Sequence, residues 1–311
     1  MKKKIFIDGR AGTTGLRIYE RLEGRDDIEL IVLSDEERKD PEARKKALNE
    51  SDIAFLCLPD DAARESVSFI ENDNTVVIDT STAHRTLDSW CYGFPELSQE
   101  LENKLKTSKR IAVPGCHASG FIALVYPLIE KGIISKETLL TCHSITGYSG
   151  GGKKMIGEYE SADRSSLFDA PRQYALGQTH KHLKEMKAIT GIDNAPVFCP
   201  IVSDFYSGMT VTVPLFASQL NDGFTAEDIK HAYAEKYTSE LVKYVECADE
   251  SGLVSGAKLS GKDSMQISVE GNEERILLIA MYDNLGKGAS GAAVECLNYI
   301  LGADITKGLE K

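Results

Sequence analysis

One cysteine in this sequence stands where a thiol can act as a nucleophile. Residues 113–120 read VPGCHASG, so a Pro-Gly turn comes before Cys116, which begins an apolar helix expected to run to about Ile129. The positive end of the helix dipole and the unpaired N–H groups favour the thiolate, the nucleophilic form of cysteine. The same N–H groups could form an oxyanion hole. The pattern predicts a catalytic Cys116, with small neighbours such as Ser119 leaving room for a substrate.

The other cysteines lack such a position. Cys57 lies in an apolar strand, and Cys142 and Cys296 lie in regular elements, so we expect all three in the core. No activating context surrounds the remaining three, Cys91, Cys199 and Cys247. The sequence has no CxxC pair, which argues against a structural zinc site, and we predict no bound metal.

Two histidines could move a proton at the same site. His180 and His182 form an HKH triplet just before a helix predicted over Leu183–Ile189. Residues two apart do not share a helix face, so at least one of them must lie outside the helix to reach the cysteine. Either can be the acid. His117 follows the cysteine directly and is expected to point away from it on the helix.

A glycine-rich loop predicts a dinucleotide site. Residues 8–16 read DGRAGTTGL, with glycines between the first predicted strand and the first predicted helix. A pyrophosphate can approach such a backbone closely because no Cβ blocks it, and the helix start supplies N–H donors. The spacing is GxxGxxG rather than GxGxxG, and a purely structural turn is the alternative. The predicted cofactor-binding residues of the loop are Gly9, Arg10, Ala11, Gly12, Thr13, Thr14 and Gly15.

The end of the second predicted strand bears on the choice of cofactor. Asp35 could hold the ribose 2′-hydroxyl of NAD. Ser34, Arg38 and Lys39 could instead hold the 2′-phosphate of NADP, and a solvated charged loop is the third interpretation. We favour NADP, and we also assign Pro59, at the end of the third predicted strand, to the cofactor side.

Two further segments are candidates for substrate binding. Arg85 follows the strand segment TVVIDTSTAH, and the carboxyl ends of such strands face the ligand crevice, where an arginine can bind phosphate in bidentate fashion. A salt-bridged surface arginine is the alternative. Tyr148, Ser149 and Gly150 lead into a run of glycines that suits close substrate approach or, alternatively, a flexible hairpin.

Strands and helices alternate in the first third of the chain. Apolar strands are predicted at 4–8, 28–33, 52–58, 75–79 and 110–113, with helices at 13–22, 40–49 and 61–70. This order predicts a doubly wound, Rossmann-like parallel sheet. After about residue 138 longer strands appear at 139–146, 209–216, 265–269 and 275–282, with a hairpin turn at Gly271-Asn272, a helix over 225–235 and a last helix over 287–301. The fold class is therefore α/β, with a second, α+β domain whose sheet is mainly antiparallel.

Composition narrows the classes of function. The 311 residues carry a formal net charge of -12, which argues against nucleic-acid binding but permits a local anion site. No apolar run reaches the roughly 18 residues that span a bilayer, so we expect no membrane partner. With no signal peptide recognised, we expect a cytoplasmic protein with reduced thiols.

Several segments together resemble the short, type 2 form of the N-acetyl-gamma-glutamyl-phosphate reductases of arginine biosynthesis. The matching segments cover nearly the whole chain in order, and the most specific are YGFPEL at 92–97, VPGCHASG at 113–120, HKH at 180–182 and YDNLGKGASGAAVECLN at 282–298. Aspartate-semialdehyde dehydrogenases share the fold and the use of a nucleophilic cysteine, and they are the nearest alternative family. The long form carries Tyr after its catalytic Cys where this chain has His117, which makes transfer of long-form substrate contacts less secure.

The resemblance carries its own expectations. It implies an oxidoreductase that uses NADPH to reduce the acyl phosphate N-acetyl-L-glutamate 5-phosphate through a Cys116 thioester. It implies a discontinuous NADP-binding domain, 1–115 and 286–311, around a catalytic and oligomerisation domain, 116–285, and a homo-oligomer, either dimer or tetramer. By the same analogy Asn284, Lys287 and Gly288 lie near the nicotinamide. A non-enzymatic dinucleotide-binding protein and a cysteine hydrolase remain the rival classes.

Overall fold

Two compact units make up the protein in the computed structural model, which describes residues 2–248 and 250–311. The first unit comprises the described residues up to Gly115 together with Ala289–Leu309. The second comprises Cys116–Gly288 and Glu310–Lys311. The chain therefore leaves the first unit just before Cys116 and returns to it just after Gly288.

The secondary structure is numbered along the whole chain. The strands are β1 (Lys3–Asp8), β2 (Ile28–Ile31), β3 (Ile53–Leu56), β4 (Val76–Asp79), β5 (Cys91–Tyr92), β6 (Arg110–Ala112), β7 (Thr141–Gly147), β8 (Arg172–Gln173), β9 (Val197–Ser203), β10 (Met209–Phe216), β11 (Val242–Tyr244), β12 (Met265–Gly271) and β13 (Arg275–Tyr282). The helices are α1 (Thr13–Leu22), α2 (Pro41–Glu50), α3 (Asp60–Ser68), α4 (Gln99–Thr107), α5 (Cys116–Glu130), α6 (Gly152–Glu160), α7 (His182–Thr190), α8 (Ala226–Lys236) and α9 (Gly291–Leu301).

The first unit is a parallel sheet with helices on both faces. Its strand order is β2-β1-β3-β4-β6-β5, and every pair is parallel. Along β1, Ile5 joins a core with Ile18 of α1 and Val294 of α9, whereas Phe6 joins a second core with Leu48 of α2. Successive side chains point to opposite faces, and both faces are buried. The predicted doubly wound sheet is confirmed.

The second unit is built on a mixed sheet of order β11-β12-β13-β10-β7-β9-β8. The pairs β7–β9 and β11–β12 are parallel and the others are antiparallel, as a mainly antiparallel sheet requires. The predicted hairpin joins β12 to β13: Gly271 has φ +112°, and the N–H of Asn272 donates to Arg275 O at 2.9 Å. Helix α5 packs against β13 and β10, and residues 118–125 within it are almost wholly buried.

Some elements differ from the sequence-based expectations. Strand β9 was not predicted because Pro200 interrupts its apolar run and cannot donate to a ladder. The carbonyl of Pro200 still takes part in the sheet, where it accepts the N–H of Tyr174 at 3.0 Å. Helix α4 was not predicted because Leu105 is its single fully buried residue. The last helix begins only at Gly291, since Gly286–Ser290 forms a π-helical turn before it.

None of the helices in the described part of the chain combines the length and the apolar character needed to cross a bilayer.

Candidate active site

The glycine loop follows β1 and opens α1, as the sequence predicts. Gly9 has φ +85°, and a Cβ there would stand 2.3 Å from the carbonyl oxygen of Cys57. A Cβ on Gly15 would stand 2.5 Å from the carbonyl oxygen of Gly9. Gly12 is less confined, because its Cβ would approach Gly9 O only to 3.3 Å. The outer glycines are thus required by the packing of the loop itself, while the middle one suits close approach of a ligand.

A cavity of about 300 Å³ lies beside this loop, within the first unit. It is lined by backbone and side chains of residues 6–12, by residues 31–33 at the end of β2, and by the cationic side chains of Arg38, Lys39 and Arg44. Arg44 is engaged by the buried carboxylate of Asp8 at 3.0 Å, and Arg38 pairs with Asp35 at 2.9 Å. Sequence reasoning did not find Arg44. No local sequence pattern marks Arg44, because it meets Asp8 only once α2 has packed against β1.

Ser34 has a local role in the same region. Its hydroxyl accepts the N–H of Glu37 at 3.2 Å, and its own N–H donates to the Glu37 carboxylate at 2.9 Å. These contacts make a short helical turn that presents Arg38 and Lys39 to the cavity. Pro59 directly precedes α3 at the end of the neighbouring strand segment. Cofactor contacts of these residues stay predictions.

Arg85 is buried in the first unit. Its Nε donates to the carbonyl of Val113 and its Nη2 to the carbonyl of Thr80, both at 2.8 Å. Nearby, His84 contacts the carboxylate of Asp79 at 2.6 Å. These bonds tie Arg85 to the segment that leads to Cys116 along the chain, and its phosphate contact stays a prediction.

Cys116 is the first residue of α5 and is partly exposed. A Cβ on Gly288 would stand 3.1 Å from the Cβ of Cys116, so residue 288 packs directly on the cysteine. The carbonyl oxygen of Cys116 accepts a hydrogen bond from the hydroxyl of Tyr282 at 2.5 Å. Ser119, one turn into the helix, is buried. Burial raises the pKa of Cys57 to about 12 and also raises the pKa of Cys142.

Three histidines meet beside α5. The ring of His117 lies 5.6 Å from that of His180 and 5.7 Å from that of His182, and the last two rings are 4.7 Å apart. His180 lies before α7 and His182 begins it. Because His180 is outside the helix, the rule that residues two apart point to different helix faces does not apply to this pair. The expectation that His117 points away from Cys116 stays a prediction, and the ring of His117 packs into this cluster. Within residues 2–248 and 250–311, no cluster of His, Cys, Asp and Glu is arranged to hold a metal ion.

His117 and Tyr174 form a buried polar pair in this cluster. His117 contacts Ser144 Oγ through Nδ1 at 2.7 Å and Tyr174 Oη through Nε2 at 2.6 Å. Burial, with the charge of His180, lowers the pKa of His117 to about 3. Burial, with the charge of Cys116, raises the pKa of Tyr174. Both groups are therefore neutral near pH 7.

The backbone determines the tautomer of His180. The N–H of His182 donates to His180 Nδ1 at 3.2 Å, so a neutral His180 ring carries its hydrogen on Nε2. Burial, with the charge of Lys181, lowers the pKa of His180 and favours this neutral form. His180 is half-buried whereas His182 is buried. In this tautomer Nε2–H is the hydrogen-bond donor of the His180 ring.

The predicted substrate loop at 148–150 is fixed by Asn284. The amide of this residue donates to Ser149 Oγ at 3.0 Å and accepts the N–H of Gly208 at 2.9 Å. Tyr148 stacks on Tyr159 with ring centroids 4.7 Å apart. A Cβ on Gly150 would stand 3.4 Å from the Asn284 amide. The Asn284 side chain thus supports this loop, a role that the sequence did not indicate, and a cofactor contact for it stays a prediction.

A buried aspartate shapes the turn from residue 283 to 288. The carboxylate of Asp283 accepts the N–H groups of Leu285 at 2.6 Å and Gly286 at 3.0 Å, and its own carbonyl accepts that of Gly288 at 3.0 Å. Lys287, between the two glycines, is buried. The turn therefore places Gly288 against the nucleophile candidate.

Known proteins share both units. Residues 4–104 match the profile described as "Semialdehyde dehydrogenase, NAD binding domain", and residues 116–284 match "Semialdehyde dehydrogenase, dimerisation domain". The chain is 44% identical to N-acetyl-gamma-glutamyl-phosphate reductase 2 of Nostoc sp., over 99% of both chains. It is 42% identical to N-acetyl-gamma-glutamyl-phosphate reductase of Sinorhizobium medicae, over 97% of this chain and 100% of that one.

The chain belongs to the N-acetyl-gamma-glutamyl-phosphate reductase family. The resemblance inferred from the sequence motifs is confirmed.

Solved structures show how widely the fold of this reductase family is shared. Aspartate semialdehyde dehydrogenase II of Vibrio cholerae superimposes with a TM-score of 0.74 at 17% identity, over 97% of this chain and 99% of that one. The enzyme of Candida albicans, solved with NADP, gives a TM-score of 0.68 at 17% identity, over 97% and 99% of the two chains. At such identities the likeness concerns the fold alone. Membership of the reductase family depends on the full-length relatives at 42–44% identity.

Proposed function

We propose that this protein reduces N-acetyl-L-glutamate 5-phosphate to N-acetyl-L-glutamate 5-semialdehyde with NADPH, releasing phosphate. The observation that carries the proposal is the 44% identity, over 99% of both chains, to a protein named as an N-acetyl-gamma-glutamyl-phosphate reductase. The site supports it: a partly exposed cysteine begins a helix, a histidine N–H donor lies in the adjoining cluster, and a glycine loop lies beside a cationic cavity.

Cys116 forms the covalent intermediate. Its thiolate attacks the acyl carbon, the bond to the phosphate oxygen breaks, and phosphate leaves, so a thioester remains on the enzyme. N–H groups at the start of α5 stabilise the oxyanion that forms in this step. Arg85 and the loop at Tyr148, Ser149 and Gly150 hold the substrate.

NADPH, when bound, supplies the hydride that reduces this thioester. Its pyrophosphate would lie on the glycine loop from Gly9 to Gly15, and Arg38 and Lys39 would hold its 2′-phosphate. Both residues line the cavity beside this loop, and an arginine can bind a phosphate in bidentate fashion. When the C–S bond breaks, the aldehyde leaves and the thiolate is restored.

His180 is the histidine of the HKH pair that acts on the substrate. Its Nε2–H donates to the carbonyl oxygen as negative charge develops there, while the backbone N–H of His182 occupies Nδ1. A neutral imidazole can stabilise an oxyanion in this way without giving up its proton. The buried His182 packs against it and keeps the ring in place.

We also propose that the protein works in the cytoplasm as a homo-oligomer, either a dimer or a tetramer, and that its second unit mediates assembly. Residues 116–284 match a domain described as a dimerisation domain. Light scattering coupled to gel filtration gives the mass in solution directly, and a monomer at micromolar concentration would contradict the proposal.

The reverse assay tests the reaction. N-acetylglutamate 5-semialdehyde and phosphate should reduce NADP, and NAD much less, whereas aspartate semialdehyde should give little turnover. The Cys116→Ser variant should lose the activity but still give an NADPH-induced thermal shift. Comparable rates with both aldehydes, or full activity of the variant, would reject the proposal. No thermal shift with NADPH in the unmodified protein would instead favour a hydrolase.

A further inference from the structure

A tyrosine hydroxyl joins the two ends of the first turn of α5. Tyr282 Oη donates to the carbonyl oxygen of Cys116 at 2.5 Å and accepts the N–H of Gly120 at 3.0 Å. Tyr282 is the last residue of β13, so the contact spans 166 residues of sequence. In a regular helix these two backbone groups satisfy each other without help. The geometry of the turn that begins with the cysteine therefore depends on a side chain from another element.

The space around this hydroxyl is closely fitted. A Cβ on Gly120 would stand 2.7 Å from Tyr282 Oη and 2.7 Å from Val211 Cγ2, so only glycine leaves room for the contact. The Tyr282 side chain is fully buried. Burial, with the charge of Cys116, raises its pKa well above the usual value, so the hydroxyl keeps its proton and continues to donate.

The segment that carries Tyr282 is itself anchored. The carboxylate of Asp283 accepts the hydroxyl of Ser207 at 2.7 Å and the N–H of Gly261 at 2.5 Å, in addition to its bonds within the following turn. That turn ends at Gly288, against the Cys116 side chain. One continuous segment therefore contacts both the backbone and the side chain of the cysteine.

We propose that Tyr282 is a positioning residue that holds the first turn of α5 and thereby sets the orientation and reactivity of the Cys116 thiol. The inference rests on the proposed role of Cys116 as nucleophile. The hydroxyl of Tyr282 donates to the carbonyl oxygen of Cys116. The hydroxyl hydrogen therefore offsets the partial negative charge of this oxygen, which would otherwise disfavour a thiolate on the same residue. The bond to the N–H of Gly120 holds the other end of the same turn. Tyr282 acts through Cys116 and needs no contact with the substrate.

Tyr282→Phe tests this with a matched control in the same helix. Tyr233 is equally buried, and its hydroxyl donates to the carbonyl of Leu124, also in α5 but away from the cysteine. For both phenylalanine variants, kcat, KM and the pH profile of Cys116 alkylation by iodoacetamide are measured, with the tryptic peptide 111–131 quantified by mass spectrometry. Alkylation reports the thiolate because the thiolate is the reactive form.

The expected result separates the two variants. Tyr282→Phe lowers kcat about tenfold, changes KM by less than about twofold, and moves the midpoint of the alkylation profile to higher pH. Tyr233→Phe leaves the midpoint and kcat unchanged, although both variants lose stability. If Tyr282→Phe does not fold, Gly120→Ala, which displaces the hydroxyl, replaces it and should raise the midpoint in the same way.

Two outcomes overturn the inference in different ways. An alkylation profile and kcat of Tyr282→Phe that coincide with those of the unmodified protein refute the positioning role while Cys116→Ser stays inactive. Full activity of Cys116→Ser refutes the proposed function, and the positioning role with it.

Discussion

Gly288 and Cys116 pack so closely that a Cβ at position 288 would stand 3.1 Å from the cysteine Cβ and 3.0 Å from the carbonyl oxygen of Asp283. The two residues are far apart in the sequence but adjoin in the second unit. The glycine therefore packs directly on the nucleophile candidate, where a side chain would crowd it.

Gly288→Ala should damage catalysis more than folding. The added methyl group must push either the backbone of the Asp283 turn or Cys116 by a few tenths of an ångström. We expect kcat to fall at least about tenfold, while the free energy of unfolding falls by about 1–3 kcal/mol. The control is Gly157→Ala in α6, where a Cβ would meet nothing within 4 Å. Equal kcat values for the two variants would show that the contact is unimportant.

Alanine substitutions at Gly12 and Gly15 should differ in their effects on stability, because the two glycines differ in how closely the loop packs around them. Gly15→Ala places a Cβ 2.5 Å from a backbone oxygen, so we expect a lower melting temperature as well as weaker NADPH binding. Gly12→Ala, at 3.3 Å, should retain most of the stability but still weaken NADPH binding, because its Cβ would obstruct the pyrophosphate. Thermal melting and fluorescence titration with NADPH measure the two effects. Unchanged NADPH affinity in Gly12→Ala would contradict the assignment of this loop.

His180 and His182 should differ in mutant kinetics. Removing one donor to a developing oxyanion costs about 10²–10³ in kcat, so His180→Ala should fall in that range. His182→Asn should lower kcat less and mainly lower stability, because its buried ring supports the cluster. Steady-state assays near pH 7.5 measure both. A larger loss of kcat in His182→Asn than in His180→Ala would show that His182, and not His180, acts on the substrate.

The buried His117 should make the protein less stable in acid. Its pKa falls from about 6.5 in the unfolded chain to about 3 in the fold, mainly because of burial. Between these values the unfolded state binds more protons, so the free energy of unfolding declines as the pH falls below about 6.5. The contribution between pH 6.5 and 5 is about 2 kcal/mol.

Urea unfolding at pH 7.5, 6 and 5 measures this slope. His117→Asn should flatten the pH dependence even if it lowers the overall stability. The exposed His231 supplies the control, since His231→Asn should keep the slope. An unaltered slope in His117→Asn would mean that this ring is not held neutral.

Local patterns were sufficient to predict the parts of the site that depend on chain neighbours. The glycine loop after β1 and the cysteine at the start of α5 both follow from residues adjacent in sequence, and the structure places them at those element boundaries. The hairpin at Gly271 was predictable for the same reason.

Contacts between distant segments were not predictable in this way. His117 faces His180 and His182 because α5 packs on α7, and Tyr282 reaches Cys116 because β13 lies under α5. Asp283 had no distinctive signal beyond its place in the YDNLGKG segment. Its role depends on donors from Ser207 and Gly261, which only the folded sheet brings together.

Trapping the acyl-enzyme tests whether Cys116 is the nucleophile. N-acetyl-L-glutamate 5-phosphate is mixed with the protein without NADPH, the reaction is quenched in acid, and released phosphate and intact mass are measured together. We predict a burst of one phosphate per subunit and one added N-acetylglutamyl group on the tryptic peptide 111–131, with neither in Cys116→Ser. An acyl group on another peptide, or turnover with NADPH but no burst and no adduct, would contradict a mechanism centred on Cys116.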